Sequence, residues 1–232
     1  MGPFGVTVPQ VLTEAIFSAY GGETGTATSA QITAAFCVGE QLIQQQIGTF
    51  LTPTSVTGTL VSALAMLGTL YLEHSYLRTI DGVVLRCEDS CSGCDTTDYT
   101  ACAHIKNFQQ SIIELRLDAS SPLCGSCAGC GRPLSFWIDY TAGIPPGQAE
   151  SSPTMLLALT TIADIALEQI TDPGASEGGP GDPGVQSWSS FKYREERVPL
   201  IAHAVGSSAR ANYAANLVRP WRVKRSLKLG WG

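Results

Sequence analysis

The chain has 232 residues, of which 44% are hydrophobic, so we expect a packed core and exclude a wholly disordered chain. Charged residues make up only 15% of the chain, which is low for a protein that exposes its whole surface to water. This low content indicates a surface that is partly covered by partners. The net charge of −6 is unevenly distributed, because seven basic and no acidic side chains lie between Arg197 and Gly232. A basic C-terminal segment on an acidic body is typical of a segment that meets a negatively charged surface.

No targeting segment is predicted. The first residues, MGPFGV, lack the charged start and apolar run of a signal peptide, and Pro3 and Val6 do not fit the myristoylation pattern. We also expect no stretch that approaches the roughly 20 apolar residues of a membrane span. The sequence therefore predicts a protein of the reducing cytosol that does not use a membrane, where dense cysteines more often bind metal than form disulfides.

Two helices are predicted near the N-terminus. The stretch VPQVLTEAIFSAYGG predicts a short helix that begins after Pro9 and ends at Gly21 and Gly22. The stretch TSAQITAAFCVGEQLIQQQIG predicts an amphipathic helix with Thr28 or Ser29 as its N-cap and Gly48 as its C-terminal stop.

The middle of the chain predicts a small β-domain with two cysteine clusters on loops between its strands. Short runs rich in β-branched and aromatic residues are broken by turn residues: SVTGTLV, TLYLEHSYL, GVVLRCE, IIELRLD and LSFWIDYTAG. The alternation of Ile113, Leu115 and Leu117 with charged residues predicts a strand with one face in water.

Helices return near the C-terminus. Ser152 and Pro153 form an N-cap and a first helical position, and TMLLALTTIADIALEQI is apolar on most faces, as in a buried helix. The glycine- and proline-rich stretch DPGASEGGPGDPG then predicts a flexible surface loop. A last helix is predicted over SSARANYAANLV, with Ser207 or Ser208 as its cap and Pro220 as its end.

The cysteine clusters CEDSCSGC and CGSCAGC have the spacing of a structural zinc site. A Cys-x-x-Cys turn brings two thiolates to one ion, and two such turns about thirty residues apart can complete a four-sulfur site. The predicted ligands are Cys91, Cys94, Cys127 and Cys130, with Cys87, Cys102, Cys124 and His104 as alternates. Disulfides and free thiols stay open as alternatives, and Cys37 is predicted to be a small buried apolar residue.

A catalytic role is less well supported by the sequence. The spacing from Cys87 through Cys91 to Cys94 matches an iron–sulfur motif, but the succession of strands and helices that such radical enzymes need is missing. The three histidines, His74, His104 and His203, form no metal-binding pair, and no nucleophile elbow or phosphate-binding loop is present. We therefore predict a protein that is not an enzyme.

The basic C-terminal segment is predicted to dock on another protein. Its bases alternate with large apolar side chains, and tryptophans are hot-spot anchors in many interfaces. The residues are Arg219, Trp221, Arg222, Lys224, Arg225, Lys228 and Trp231. A disordered terminus and a contact with the phosphate backbone of DNA are the alternatives.

The order of these elements resembles that of the head-to-tail adaptor (connector) family of tailed bacteriophages. The likeness covers about residues 28–60 and 134–218 and consists of the segments GEQLIQQQIGTFLTPT, IDYTAGIP, SPTMLLALTTIADIALEQI and GDPGVQSWSSFKYREERV. It implies a ring, typically of twelve subunits, that grips the portal through its C-terminal segment and meets the next neck (stopper) or tail protein. It further implies a virion neck protein, assembled in the host cytoplasm, through which DNA passes without sequence-specific binding.

The predicted fold class is α+β. The N-terminal helices, a buried central helix and a C-terminal helix form an adaptor core, into which a small cysteine-rich β-domain is inserted. The predicted parts are an N-terminal helical part (1–53), a β-domain (54–141) with a cysteine-rich insertion (86–131), a C-terminal helical part (142–218) with a Gly/Pro-rich loop (172–184), and a basic docking tail (219–232). A zinc-stapled module that binds nucleic acid is the second interpretation.

Overall fold

The computed structural model describes residues 8–62, 69–87, 97–116, 134–171 and 209–223. Helices and sheets are both present, so the predicted α+β class is confirmed. The chain divides into two compact units. The helical unit draws on Met1–Leu51 and Pro146–Arg222, and the β unit draws on Thr52–Pro145 and Val223–Gly232.

The described part of the helical unit contains four α-helices, and local sequence signals mark the ends of the two long ones. They are α1 (Glu14–Ala19), α2 (Ser29–Ile47), α3 (Pro153–Thr171) and α4 (Ala209–Leu217). Thr28 and Gln31 form a reciprocal capping box at the start of α2, and Gly48 ends it in the left-handed conformation with φ 74°. The hydroxyl of Ser152 accepts the N–H of Met155 at 3.3 Å, which confirms the predicted start of α3.

Helix α3 forms the centre of the helical unit. Ten of its 19 residues are buried, and it packs against α2 and α4. Gly39 of α2 faces Ala163 so closely that a Cβ on the glycine would lie 3.1 Å from the alanine Cβ. The expectation that no segment could span a membrane was wrong for α3. By length and composition alone this helix could do so, since an 18-residue window in it has a mean hydropathy of 1.3. Because 56% of that window is buried inside the unit, the apolar residues serve as core.

The segment before α1 is bound to a buried carboxylate and is not helical. The carboxylate of Glu40 accepts the backbone N–H groups of Gln10, Val11 and Leu12 at 2.7, 2.7 and 2.8 Å. These three donors hold residues 10–12 against α2, so α1 begins at Glu14, with Thr13 as its N-cap, and not directly after Pro9 as predicted. Burial raises the pKa of the Glu40 carboxyl, and the three backbone donors oppose this shift.

We predict that replacing Glu40 will release this segment and destabilise the helical unit. Glu40→Ala leaves the N–H groups of Val11 and Leu12 buried without an acceptor, at a cost of about 3 kcal/mol or more. Glu40→Gln keeps one acceptor oxygen, so we expect an intermediate loss. Chemical denaturation gives the stability, and hydrogen exchange at residues 10–12 reports the release itself. Glu23→Gln, on an exposed side chain, is the matched control; equal stabilities for Glu40→Ala and this control would contradict the prediction.

The described part of the β unit contains two antiparallel sheets. Its strands are β1 (Thr54–Ser62), β2 (Thr69–Tyr71), β3 (Leu77–Cys87), β4 (Thr97–Asp98), β5 (Ala103–Asn107), β6 (Ile112–Leu115) and β7 (Leu134–Ala142). The larger sheet has the order β1-β7-β3-β4, and the smaller one has the order β2-β6-β5. Alternate residues of β7, Phe136, Ile138, Tyr140 and Ala142, are fully buried and form the centre of the larger sheet.

The sequence located five of these strands and missed two. The stretch TLYLEHSYL is not one strand, because residues 72–76 leave the sheet between β2 and β3, and Tyr76 has a positive φ of 60°. Strands β4 and β5, which lie between the two cysteine clusters, were not predicted. The alternation in β6 is confirmed over its described residues, since Ile113 and Leu115 are buried and Arg116 is exposed.

The turn after β7 is held by tight contacts within the β unit. The hydroxyl of Tyr140 lies 2.8 Å from Nδ1 of His74, and both side chains are buried. Gly143 has a φ of 141°, and its N–H donates to the carbonyl of Tyr76 at 3.0 Å. A Cβ on Gly143 would lie 2.3 Å from the carbonyl oxygen of Thr52, so no residue except glycine fits without movement of the backbone.

We predict that Gly143→Ala will destabilise the β unit by about 3 kcal/mol, because the added methyl group meets a backbone oxygen in a strained conformation. Gly58→Ala is the control, since Gly58 also has a positive φ (69°) but its Cβ would be 3.8 Å from its nearest neighbour. For the control we expect a loss of about 1 kcal/mol from the left-handed conformation alone. Denaturation of the two variants tests this, and an equal loss would show that the contact with Thr52 is unimportant.

Candidate docking and metal sites

The last helix is fixed to the core by an arginine clamp. Arg210 donates from Nη1 to both carboxylate oxygens of Glu168 at 2.8 and 3.1 Å, and from Nη2 to Asp164. Both acids lie on α3, one turn apart, so one guanidinium connects two turns of α3 to the first turn of α4. Burial raises the pKa of Asp164, and the charge of Arg210 opposes this shift. The hydrogen bond to Glu168 raises the pKa of Arg210.

Beyond the clamp, α4 buries small residues and ends on a fixed turn. Ala211, Ala214 and Ala215 face inward, and Val218 is fully buried directly after the helix. A 3-10 turn over Arg219–Trp221 follows, in which the N–H of Trp221 donates to the carbonyl of Val218 at 3.0 Å. Pro220 therefore lies inside this turn, whereas it was predicted to end the helix itself; α4 ends at Leu217.

The described start of the docking segment presents cations to solvent from a rigid base. Arg219 and Arg222 are exposed, and Trp221 is half-buried. Among the described residues, no carboxylate lies within ion-pair distance of either arginine. The remaining predicted docking residues, Lys224, Arg225, Lys228 and Trp231, lie outside the described part of the chain. The docking role of all seven residues stays a prediction.

Most of the predicted zinc ligands also lie outside the described residues, namely Cys91, Cys94, Cys124, Cys127 and Cys130. Cys87 is the last residue of β3 and pairs in register with Leu134, the first residue of β7. The first residue of the first cluster thus lies opposite Leu134, which follows the second cluster by four residues in the sequence. Within the described ranges, no three His, Cys, Asp or Glu side chains form a group that could hold a metal.

Two further alternate ligands within the described residues, Cys102 and His104, belong to neighbouring elements. Cys102 is half-buried in a 3-10 turn, Thr100–Cys102, and His104 follows in β5, where it is exposed opposite Glu114. Cys37, predicted to be buried, is a half-buried free thiol on α2, and burial and the charge of Glu40 raise its pKa. His203 lies outside the description.

Sequence reasoning did not identify three residues that organise the structure: Glu40, His74 as the partner of Tyr140, and Arg210 as a clamp. For Glu40 a signal existed, because it is the only Asp, Glu, Lys, Arg or His in α2 and falls among apolar residues of the buried face. For His74 and Arg210, whose partners lie 66 and 42 or more residues away, no local pattern was present.

Comparison with solved structures shows which fold this is. The chain is similar to a chain in a structure of the neck of an empty gene transfer agent particle, a phage-like particle, computed with C6 symmetry. The TM-score is 0.53 and the identity 16%, and the match covers 94% of this chain and 92% of the other. No family model matches the sequence, and neither does any curated protein. The chain therefore has the fold of a phage-type neck protein.

Proposed function

We propose that this protein is a structural adaptor in the neck of a tailed phage or phage-like particle. It forms a ring, dodecameric by its resemblance to the adaptors, that docks on the portal and joins the head to the next neck or tail protein. The observation that carries the proposal is the match of nearly the whole chain, 94%, to a neck protein of a phage-like particle. Assembly takes place in the host cytoplasm, and the protein acts by shape and not by catalysis.

Two features of the helical unit support a role in assembly. The outward face of α2 is formed by small and uncharged residues, whereas a surface exposed to water normally carries many charges. The residues of this face are Ser29, Ala30, Thr33, Ala34, Cys37, Val38 and Gln41. The second feature is the fixed turn at Arg219–Trp221, which gives the docking segment a defined starting point and so reduces the entropy lost when it binds.

The docking segment provides the contact with the portal. Its bases meet acidic residues of the portal, and its tryptophans fill pockets there. Repetition around a ring multiplies a contact that would be weak in one subunit. Packaged DNA passes through the channel without sequence-specific contacts, and an acidic body does not retain phosphates.

We predict that deletion of residues 219–232 abolishes binding to the purified portal of the same particle. The double variant Arg219→Gln/Arg222→Gln removes two exposed positive charges that the structure describes. It should weaken binding about tenfold at low salt and less at high salt. Arg78→Gln, on an exposed arginine of β3, is the matched control and should bind like the wild type. Affinity is measured by biolayer interferometry, and rings are counted by negative-stain microscopy.

Undiminished portal binding by the deletion variant would contradict the docking role. A different result would favour the nucleic-acid-binding module. In that case the wild type forms no ring with the portal but binds DNA at low salt, and both the deletion and the double variant lose this DNA binding.

We further propose that the cysteine clusters hold one structural zinc ion through Cys91, Cys94, Cys127 and Cys130. The support is the Cys-x-x-Cys spacing together with the pairing of Cys87 with Leu134, which brings together the two ends of the stretch that contains the clusters. Elemental analysis should find one zinc per chain, and Cys91→Ser/Cys94→Ser should lose it while Cys37→Ser keeps it. No zinc, with no free thiols in the cluster peptides, would indicate disulfides.

A further inference from the structure

The outer edge of β1 is a candidate site for the addition of another strand. Strand β1 is the last strand of the larger sheet, and within the described residues no strand pairs with its other side. It is nine residues long and contains neither a charged residue nor a proline. Leu60, 55% exposed, lies on it. A long uncharged edge is a template for strand addition, which natural proteins normally block.

The other sheet edges in the described ranges carry such blocks. Strand β2 has three residues and β4 has two, too few to bind a partner strand securely. Strand β5 carries Lys106, which is ion-paired with Glu114 at 3.4 Å, and a register shift. On β1 a bulge near Gly58 interrupts the ladder with β7, but the four residues Thr59–Ser62 beyond it pair regularly. The regular part of β1 is therefore the accessible edge.

The sequence before residue 10 has the pattern of a strand that would fit this edge. Phe4, Val6 and Val8 alternate with Gly5 and Thr7, and no side chain in this stretch is ionisable. Val8, the last of them, is 70% exposed. Five extended residues span about 17 Å, enough to cover the roughly 13 Å of Thr59–Ser62. An uncharged apolar segment suits an uncharged edge, since neither loses a hydrated charge on pairing.

The base of this segment is fixed. Directly after Pro9, the backbone of residues 10–12 is bound to Glu40, so the residue that follows the segment Phe4–Val8 and Pro9 in the sequence is held in place. A strand formed by Phe4–Val8 would therefore have a fixed base, which limits the entropy lost when it binds.

We propose that Phe4–Val8 of one copy adds as a strand to the outer edge of β1 of a neighbouring copy. The inference rests on the proposed ring. Two different surfaces meet in this contact, an arm and a sheet edge, and such heterologous contacts repeat from copy to copy until a ring closes. A β1–β1 contact would instead pair identical edges and stop at a dimer. Main-chain hydrogen bonds give the arm its affinity, and Leu60 becomes covered.

Crosslinking tests the contact in the full-length protein. Phe4 is replaced by photoreactive benzoylphenylalanine in an unlabelled chain, which is mixed with a ¹⁵N-labelled wild-type chain before portal is added. We expect peptides in which the unlabelled arm is joined to labelled residues 54–62. Crosslinks confined to one copy, or to other regions of the labelled chain, would overturn the proposal.

A pair of edge variants gives a second test. Leu60→Lys places a charge on the edge and should lower the fraction of chains in rings at least about tenfold. Leu60→Thr removes the same side chain but stays uncharged, so it should assemble like the wild type, and circular dichroism checks that both variants fold. Rings formed by Leu60→Lys at wild-type yield would overturn the arm contact and leave the adaptor function standing. Failure of the wild type to form rings with portal would overturn both.

Discussion

A buried carboxylate sets the organisation of the helical unit. Glu40 is fully buried, and a charge in that position is tolerated because three backbone N–H groups converge on it. The same bonds satisfy donors that would otherwise be buried without a partner before α1. They fix residues 10–12 on α2 and so determine where α1 begins. In the proposed ring, a core interaction thus positions an assembly arm.

The two ends of the helical unit follow a similar principle. At the other end, Arg210 joins α4 to two acids of α3, Val218 is buried, and a 3-10 turn presents Arg219 and Arg222. The clamp is half exposed, so its charges alone add little stability, and the alanine face of α4 supplies most of the packing. Each segment proposed to bind a partner thus adjoins an element that a specific polar anchor holds: residues 10–12 on one side, and α4 with Arg210 on the other.

Local signals predicted the ends of the long helices, and distant contacts decided the rest. Thr28, Gly48 and Ser152 define their boundaries through bonds within a few residues, so the sequence alone was sufficient there. The start of α1 was wrong because its determinant, Glu40, lies about thirty residues away. Strands β4 and β5 were missed because their short sequences contain few β-branched residues, and pairing with β3 and β6 forms them. The candidate docking residues were predicted from the basic and aromatic composition of the C-terminal segment. Composition does not predict the 3-10 turn that presents Arg219 and Arg222.

The fold and the low charge content then have a common explanation. In the proposed ring each subunit has neighbours on two sides, which would cover uncharged stretches such as the outward face of α2 and the edge of β1. A free monomer would expose both, and the uncharged edge would invite unspecific strand pairing. In the proposed particle the two kinds of contact use different parts of the chain. The docking segment, with five of the 14 Lys and Arg residues and no acidic one, makes the electrostatic contacts with the portal, while apolar and main-chain contacts join the copies. Salt should therefore weaken docking while it leaves the contacts between copies largely intact, because screening acts on exposed charges and hardly on strand pairing.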